Sequence, residues 1–197
     1  MNTTGSLDIC IGCMFSGKST ELLRTVNRLK TIDTKYIIIN SNLDNRYGSE
    51  IVSNHNGLTQ ECISVSKLYD IMKDPLVQEN YKSSQYIIIE EAQFFEDLYD
   101  FVLQAVNTDY KRVLIYGLDG DSEQKPFGDI LRLIPHSDSV QKLKSLCKEC
   151  NDGTEALFTI RDIDGDLNKK SQIMIGNDNI YKVVCRKHLL EYHDSLY

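Results

Sequence analysis

Gly12-Cys13-Met14-Phe15-Ser16-Gly17-Lys18-Ser19-Thr20 carries the spacing G-x-x-x-x-G-K-[ST] without a mismatch. Such a loop curls its backbone N–H groups round a phosphate, and the helix that follows directs its positive end at the same anion. Lys18 then neutralises the outer phosphates of a nucleoside triphosphate, and the Ser19 hydroxyl ligates Mg²⁺. With glycine near 7% of residues, a chance match in a chain this long is on the order of one in a hundred. A second group of reactive residues ends the run Ile87-Ile88-Ile89-Glu90-Glu91. Strand side chains alternate, so these carboxylates should point apart, one toward the Mg²⁺ region and one toward a substrate hydroxyl. Glu90 takes the metal side, where phosphate-loop enzymes usually carry Asp. Taken alone, the pair also reads as a solvated acidic strand end. The third group is Cys147-x-x-Cys150 with Cys185-x-x-His188. Three thiolates and an imidazole complete a tetrahedral Zn²⁺ shell, and four protein ligands make such a site structural. Unmetallated thiols are the alternative. Cys10, Cys13 and Cys62 lack this spacing, and Cys10 reads as a core residue.

These residues need a scaffold. Leu7 to Ile11 reads as a strand stopping at Gly12, and from Lys18 the period becomes helical, with Leu22, Leu23, Val26 and Leu29 on one face. Tyr36 to Ile39 and Tyr86 to Ile89 are short β-branched runs of the kind buried on both faces of a parallel sheet. Phe95 to Val106 has helical spacing, and Val113 to Tyr116 is a fourth strand. Alternating strands and helices predict an α/β fold: a P-loop NTPase-like parallel sheet flanked by helices. Ser41 to Lys82 is harder to read and holds a Gly- and Asn-rich stretch at Asn54 to Gly57. Past Lys144 short β-like pieces follow (Leu157 to Ile160, Gln172 to Ile175, Tyr181 to Val184), suggesting a small zinc-containing lobe. The expected division is a phosphate-loop α/β body over 1–143 and a metal-binding lobe over 144–197.

The chain has 197 residues with 22 Lys and Arg against 29 Asp and Glu, a net charge of −7. That balance argues against a nucleic-acid-coating protein but leaves room for a small anionic substrate held by local cations. No apolar run approaches the ~20 residues that span a bilayer, and no secretory signal is readable at Met1 to Gly5. Reduced thiols and a cytoplasmic location are expected.

Gly12 to Thr20, Asp44-Asn45-Arg46-Tyr47, Glu91-Ala92-Gln93-Phe94-Phe95, Leu118-Asp119-Gly120, Lys125-Pro126-Phe127-Gly128 and the Cys-pair lobe occur in a telling order. From Leu7 to His188 the chain resembles the type II thymidine kinases, the family of the cytosol and of large DNA viruses. The resemblance implies transfer of the ATP γ-phosphoryl group to the 5′-hydroxyl of thymidine, giving dTMP and ADP. It also implies Mg²⁺, a structural Zn²⁺ in a lasso lobe, a homotetramer and feedback inhibition by dTTP. Glu91 matches the catalytic base, and Lys18 and Ser19 the phosphate-loop pair. Asp44 and Arg46 match residues near the phosphates. Met14, Phe94, Leu118, Phe127 and Thr159 match the thymine pocket, with Arg161 beside it. Tyr181 matches the lasso tyrosine, and lasso backbone at Met174, Ile175 and Gly176 would read the base edge.

Five departures stand out: Cys13 for a proline, Glu90 for Asp, Ser122-Glu123-Gln124-Lys125 for Phe-Gln-Arg-Lys, Asn177 for a glycine, and His188 for the fourth zinc cysteine. Ser122 removes an aromatic wall of the substrate pocket and motivates a rival, a kinase for another nucleoside. A rival of another class is a nucleotide-hydrolysing switch module, which has no need of a metal-pinned loop enclosing a base.

Overall fold

The computed structural model describes residues 4–43, 51–53, 59–161 and 180–194. Its frame grows from the isoleucine-rich runs. Strand β1 is Ser6–Gly12, helix α1 Lys18–Lys30, and β2 Tyr36–Ser41; a short pair follows, β3 (Ile51–Ser53) and β4 (Thr59–Glu61), then β5 (Ile63–Val65). Helix α2 is Pro75–Ser83, β6 Tyr86–Ile89, α3 Leu98–Asn107, β7 Arg112–Gly117 and β8 Ser139–Leu143. Among the described residues, six strands form one sheet in the order β5-β2-β6-β7-β1-β8. All the pairings are parallel.

Period two explains why the runs are continuous yet serve two layers. Ile37, Ile39, Ile87, Ile89, Val113 and Ile115 face one side, where α3 lays Leu98, Phe101, Val102 and Ala105 against them. Ile38, Ile88, Leu114, Cys10 and Tyr116 face the other, covered by Leu22, Leu23, Val26 and Leu29 of α1. Each such aliphatic side chain contributes about 1.5–3 kcal/mol on burial. The expected helix from Phe95 begins instead at Leu98, because Phe95 is extended and closes a 3-10 turn over Ala92–Phe94.

Strands β5 and β8 were not foreseen. β5 has only three residues, and β8 is an edge strand whose first four residues are exposed, so neither has a buried run to announce it. They complete the functional arrangement nonetheless. From β1 the chain crosses to β2, returns through β6 and β7, and then passes β1 to lay β8 on its far side. Ligands of open α/β sheets bind outside the carboxyl ends of strands where the order reverses. Gly12, Glu90 and Leu118 leave β1, β6 and β7 at that edge.

The smaller lobe starts where β8 ends. It contains β9 (Ser145–Leu146), β10 (Glu155–Ala156), β11 (Phe158–Arg161), β12 (Tyr181–Val184) and α4 (Arg186–Asp194). β9 pairs with β10 and β11 with β12, both antiparallel. The predicted β-piece at Leu157 to Ile160 is displaced by one residue at each end, and Tyr181 to Val184 matches β12. Asn54 to Gly57 and Gln172 to Ile175 lie outside the described residues.

Candidate active site

The loop after β1 turns into α1 at Gly17, which sits at φ 88 as the helix N-cap and gives no side-chain cap. The first-turn N–H groups of α1 are thereby left for an anion. Lys18 Nζ donates to the carbonyls of Gly12 at 3.1 Å and Cys13 at 2.9 Å, holding the ammonium over the loop. Ser16 Oγ is buried with no hydrogen-bond partner among the described residues. A cation over a loop with an unsatisfied hydroxyl and an uncapped helix start suits a phosphate group. Thr20 lies on an exposed part of α1.

Cys13 occupies the loop but faces away from its mouth. Its side chain is 3% exposed and packs with Cys147, Ala156, Ile160 and Val183 of the lobe. Its Sγ donates to the Ala156 carbonyl at 3.6 Å. Burial pushes the Cys13 thiol up. Only its backbone remains for a phosphate. Met14 and Phe15 pack against the same lobe cluster, and the Met14 N–H donates to Thr159 Oγ1 at 3.0 Å. Thr159 thus fastens the loop to the lobe.

Glu90 and Glu91 do diverge, for a different reason from the one expected. β6 ends at Ile89, and Glu91 reverses the chain in the left-handed region at φ 49, ψ 41. A non-glycine residue there carries a cost of about 1–2 kcal/mol. Glu90 is 4% exposed and accepts a hydrogen bond from Ser19 Oγ at 2.5 Å. A buried carboxylate against a hydroxyl is a hard-oxygen pair that fits Mg²⁺. The Glu91 carboxylate turns the other way and accepts from Gln93 Nε2 at 2.6 Å.

The residues expected to line a nucleoside pocket take the following places. Phe94 and Phe127 pack edge to face with ring centroids 5.6 Å apart. Leu118 follows β7, and its N–H donates to Gln93 Oε1 at 2.9 Å. Tyr181 is buried, with the Arg161 guanidinium 5.8 Å from its ring centre. Ser122 sits in a turn pinned by Asp121 Oδ1, which accepts from the N–H groups of Glu123 and Lys125. Gln124 bridges from that turn to the lobe: its Nε2 donates to the carbonyls of Ser122 and Thr159, and its Oε1 pairs with His193 Nε2 at 2.9 Å. A cavity of ≈ 200 Å³ opens between Asp121, Gln124, Phe158 and Thr159. Asp44, Arg46, Met174, Ile175 and Gly176 lie outside the described residues.

Sequence reading passed over Gln93, Gln124 and His193. Gln93 stands within a quoted motif, but nothing in its type or spacing tells an amide that brackets two segments from a surface one. His193 meets Gln124 only because α4 folds back across the lobe.

The second centre is the cluster of Cys147, Cys150, Cys185 and His188, whose ligand atoms all lie within 4.8 Å of one another. His188 Nδ1 is 3.5, 3.4 and 3.3 Å from the sulfurs of Cys147, Cys150 and Cys185, and the Cys150 and Cys185 sulfurs are 3.8 Å apart. A zinc tetrahedron with ordinary bond lengths has sulfur–sulfur edges of about 3.8 Å and nitrogen–sulfur edges of about 3.5 Å. The donor set and its spacing fit a structural zinc. Glu191 Oε2 lies 3.6 Å from His188 Nε2, the outer contact that orients a ligating imidazole. Burial raises the Cys147 thiol, but backbone N–H groups of Cys150, Cys185 and Glu149, with His188, outweigh it and bring it to about 6. Cys150 is pushed up to about 11 by burial and by the Cys147 sulfur. The His188 backbone N–H holds the Cys185 thiol below its usual value as well, and a divalent cation would stabilise all three sulfurs as thiolates.

Comparison with known proteins agrees with this geometry. A family model described as thymidine kinase matches residues 5–189. The thymidine kinase of Oryza sativa subsp. japonica is 39% identical over 188 residues, covering 95% of this chain and 67% of its own. Thymidine kinase a of Arabidopsis thaliana is 36% identical over 192 residues, 96% of this chain and 77% of its own. The thymidine kinase of Vaccinia virus (strain Western Reserve) is 38% identical over 184 residues, 93% of this chain and 96% of its own. With a family model spanning residues 5–189 and relatives 36–39% identical over 93–96% of its length, this chain is a member of the thymidine kinase family.

Proposed function

We propose that the chain transfers the γ-phosphoryl group of ATP to the 5′-hydroxyl of thymidine, giving dTMP and ADP. The observation that carries this reading is the 2.5 Å bond from Ser19 to Glu90, which ties the phosphate loop to the strand end bearing Glu91. Phosphoryl transfer asks a protein for positioning and charge more than for covalent chemistry. Glu91 accepts the 5′-hydroxyl proton while the new oxygen–phosphorus bond forms and the bond to the departing ADP oxygen breaks. Lys18 and the first-turn N–H groups of α1 hold the phosphates, with Arg46 and Arg161 as further cations and Asp44 near them. Ser19 and Glu90 would hold Mg²⁺, which when bound screens the charge of the phosphate oxygens. Met14, Phe94, Leu118, Phe127, Thr159 and Tyr181 enclose the base, with Ser122 at the pocket edge and lasso backbone at Met174, Ile175 and Gly176.

The same reading divides the chain into a kinase body over 1–143 and a zinc lobe over 144–197. It includes dTTP as an end-product inhibitor, a homotetramer and work in the cytoplasm, with no nucleic-acid or membrane partner. Among the described residues, no helix is long and apolar enough to cross a membrane.

The test is transfer of labelled phosphate from ATP to a panel of nucleosides. Thymidine should be the preferred acceptor, and Glu91→Gln should lower kcat by about 10²–10⁴ with ATP binding little changed. Full activity in Glu91→Gln beside a dead Glu90→Gln would exchange the roles of the two carboxylates. Preference for another nucleoside would favour the rival prompted by Ser122, and hydrolysis without any acceptor would favour a switch module.

A further inference from the structure

Gln93 is 4% exposed, and both ends of its side-chain amide are engaged. Nε2 donates to Glu91 Oε2 at 2.6 Å, and Oε1 accepts the Leu118 N–H at 2.9 Å. These partners select one orientation of the amide, since the flipped form would set a carbonyl against a carboxylate and an NH₂ against an N–H. The surroundings are shaped to admit it. A Cβ at Gly117 would come within 2.7 Å of Gln93 Oε1, and a Cβ at Gly128, whose φ is 60, would run into the Gln93 carbonyl. Gly117 thus leaves room for the amide, as well as for Ile130, and Gly128 lets its turn approach the backbone at Gln93.

From this arrangement we infer that Gln93 is a positioning residue, setting the Glu91 carboxylate against the nucleoside wall at Leu118. The inference rests on Glu91 being the base. A glutamate has three side-chain torsions, and a base displaced by about 1 Å can lose about 100-fold in rate. Gln93 holds the carboxylate and the backbone of Leu118 with one rigid amide group. A nucleoside resting on Leu118 therefore meets the base at a distance set by that group rather than by loop motion.

The experiment is a double-mutant cycle on the full chain, with kcat and both KM values read separately. Gln93→Met keeps the volume and removes both hydrogen bonds. Gln93→Leu likewise removes both hydrogen bonds without setting a second buried carboxylate against Glu91, and stands in should Gln93→Met prove unstable. Each should lower kcat about 10- to 100-fold, with the KM for ATP within about twofold and that for thymidine within about threefold of the parent. In a Glu91→Gln background, adding Gln93→Met should cost less than about threefold, because the group it positions is gone. A Gln93→Met or Gln93→Leu kcat within about twofold of the parent overturns the inference, as does a further loss of about tenfold or more in the Glu91→Gln background. If Glu91→Gln is itself fully active, the base assignment falls first and takes this inference with it. If Glu91→Gln is crippled while the Gln93 variants are not, the base stands and only Gln93 fails.

Discussion

Ile87, Ile88 and Ile89 at the centre of the sheet are fully buried between two helical layers, Phe101 and Leu98 closing over Ile87 and Ile89 and the α1 leucines over Ile88. Among the described residues, the lobe has no comparable interior. Its buried cluster is Ala156, Ile160, Val183, Val184 and Leu189 with three cysteines, one of them Cys13, lent by the phosphate loop. The sheet body has enough apolar surface to fold on transfer free energy, whereas a small lobe usually needs a staple. The body carries the phosphate loop and the two carboxylates at one strand edge. The lobe packs against the loop through Cys13, Met14 and Thr159, and gathers its Cys₃His cluster between β9, β12 and α4. Loss of metal should reach the active site through that seam.

Removing metal is the strongest way to break this contrast. Purified protein should contain about one zinc per chain. Chelation, or Cys150→Ala, should strip hydrogen-exchange protection from β11 and β12 and abolish turnover, while β1, β6 and β7 stay protected. Lobe strands that remain protected without metal would show that apolar packing suffices there.

Next in size is truncation within the two cores. Phe101→Ala should cost about 3–5 kcal/mol in urea unfolding of the body. Leu189→Ala in the zinc-loaded protein should leave that transition nearly unmoved and act only on lobe exchange rates. Equal shifts would mean that the two regions unfold as one unit.

The regions should also part company with pH. Burial pushes the Cys10 thiol up to about 12 and likewise raises the Tyr116 phenol, both on the α1 side of the sheet. Folding raises these pKa values, so the native state holds the protons more tightly than the unfolded chain. The stability they confer is complete below the free thiol value of about 8.5 and is lost as pH climbs toward 12. The melting temperature of the body should fall over that range, and Cys10→Val should flatten the fall. The lobe should fail at the opposite end, releasing metal as acid protonates its ligands. A melting temperature indifferent to alkali would remove the thiol and phenol from the account.

The smallest effect is expected at the seam, from Ser122. Tyr116 cannot fill the space of a missing aromatic, being 4% exposed in the α1-side core with its hydroxyl donating to Thr25. Phe158 is nearer, beside Thr159 and Gln124 in the cavity wall. Ser122→Phe should lower the thymidine KM a few-fold and narrow tolerance of 5-substituted analogues, since burying a phenyl ring contributes up to about 3 kcal/mol. A raised KM would indicate that Phe158 already takes the place.

Much of this was legible in the chain itself, and the reason is locality. A phosphate loop, an α1 face made by Leu22, Leu23, Val26 and Leu29, and the cysteine and histidine pairs are each specified by spacing within a few residues. The isoleucine runs announced β2 and β6 because strands buried on both faces need no alternation. What only tertiary structure decided depends on partners distant in sequence. Ser139–Leu143 is a strand because β1 lies beside it, not because its residues are apolar. Glu90 and Glu91 part at a backbone reversal, which a reading of pleat alternation could not supply. Cys13 leaves its own loop for the lobe core across a sequence separation of 143 residues to Ala156. Gln93 becomes a bracket only once β7 and the turn at Gly128 close around it, and Gln124 reaches His193 only through the path of α4. Side-chain type and short spacing set which chemistry was available, and long-range packing set which atoms meet.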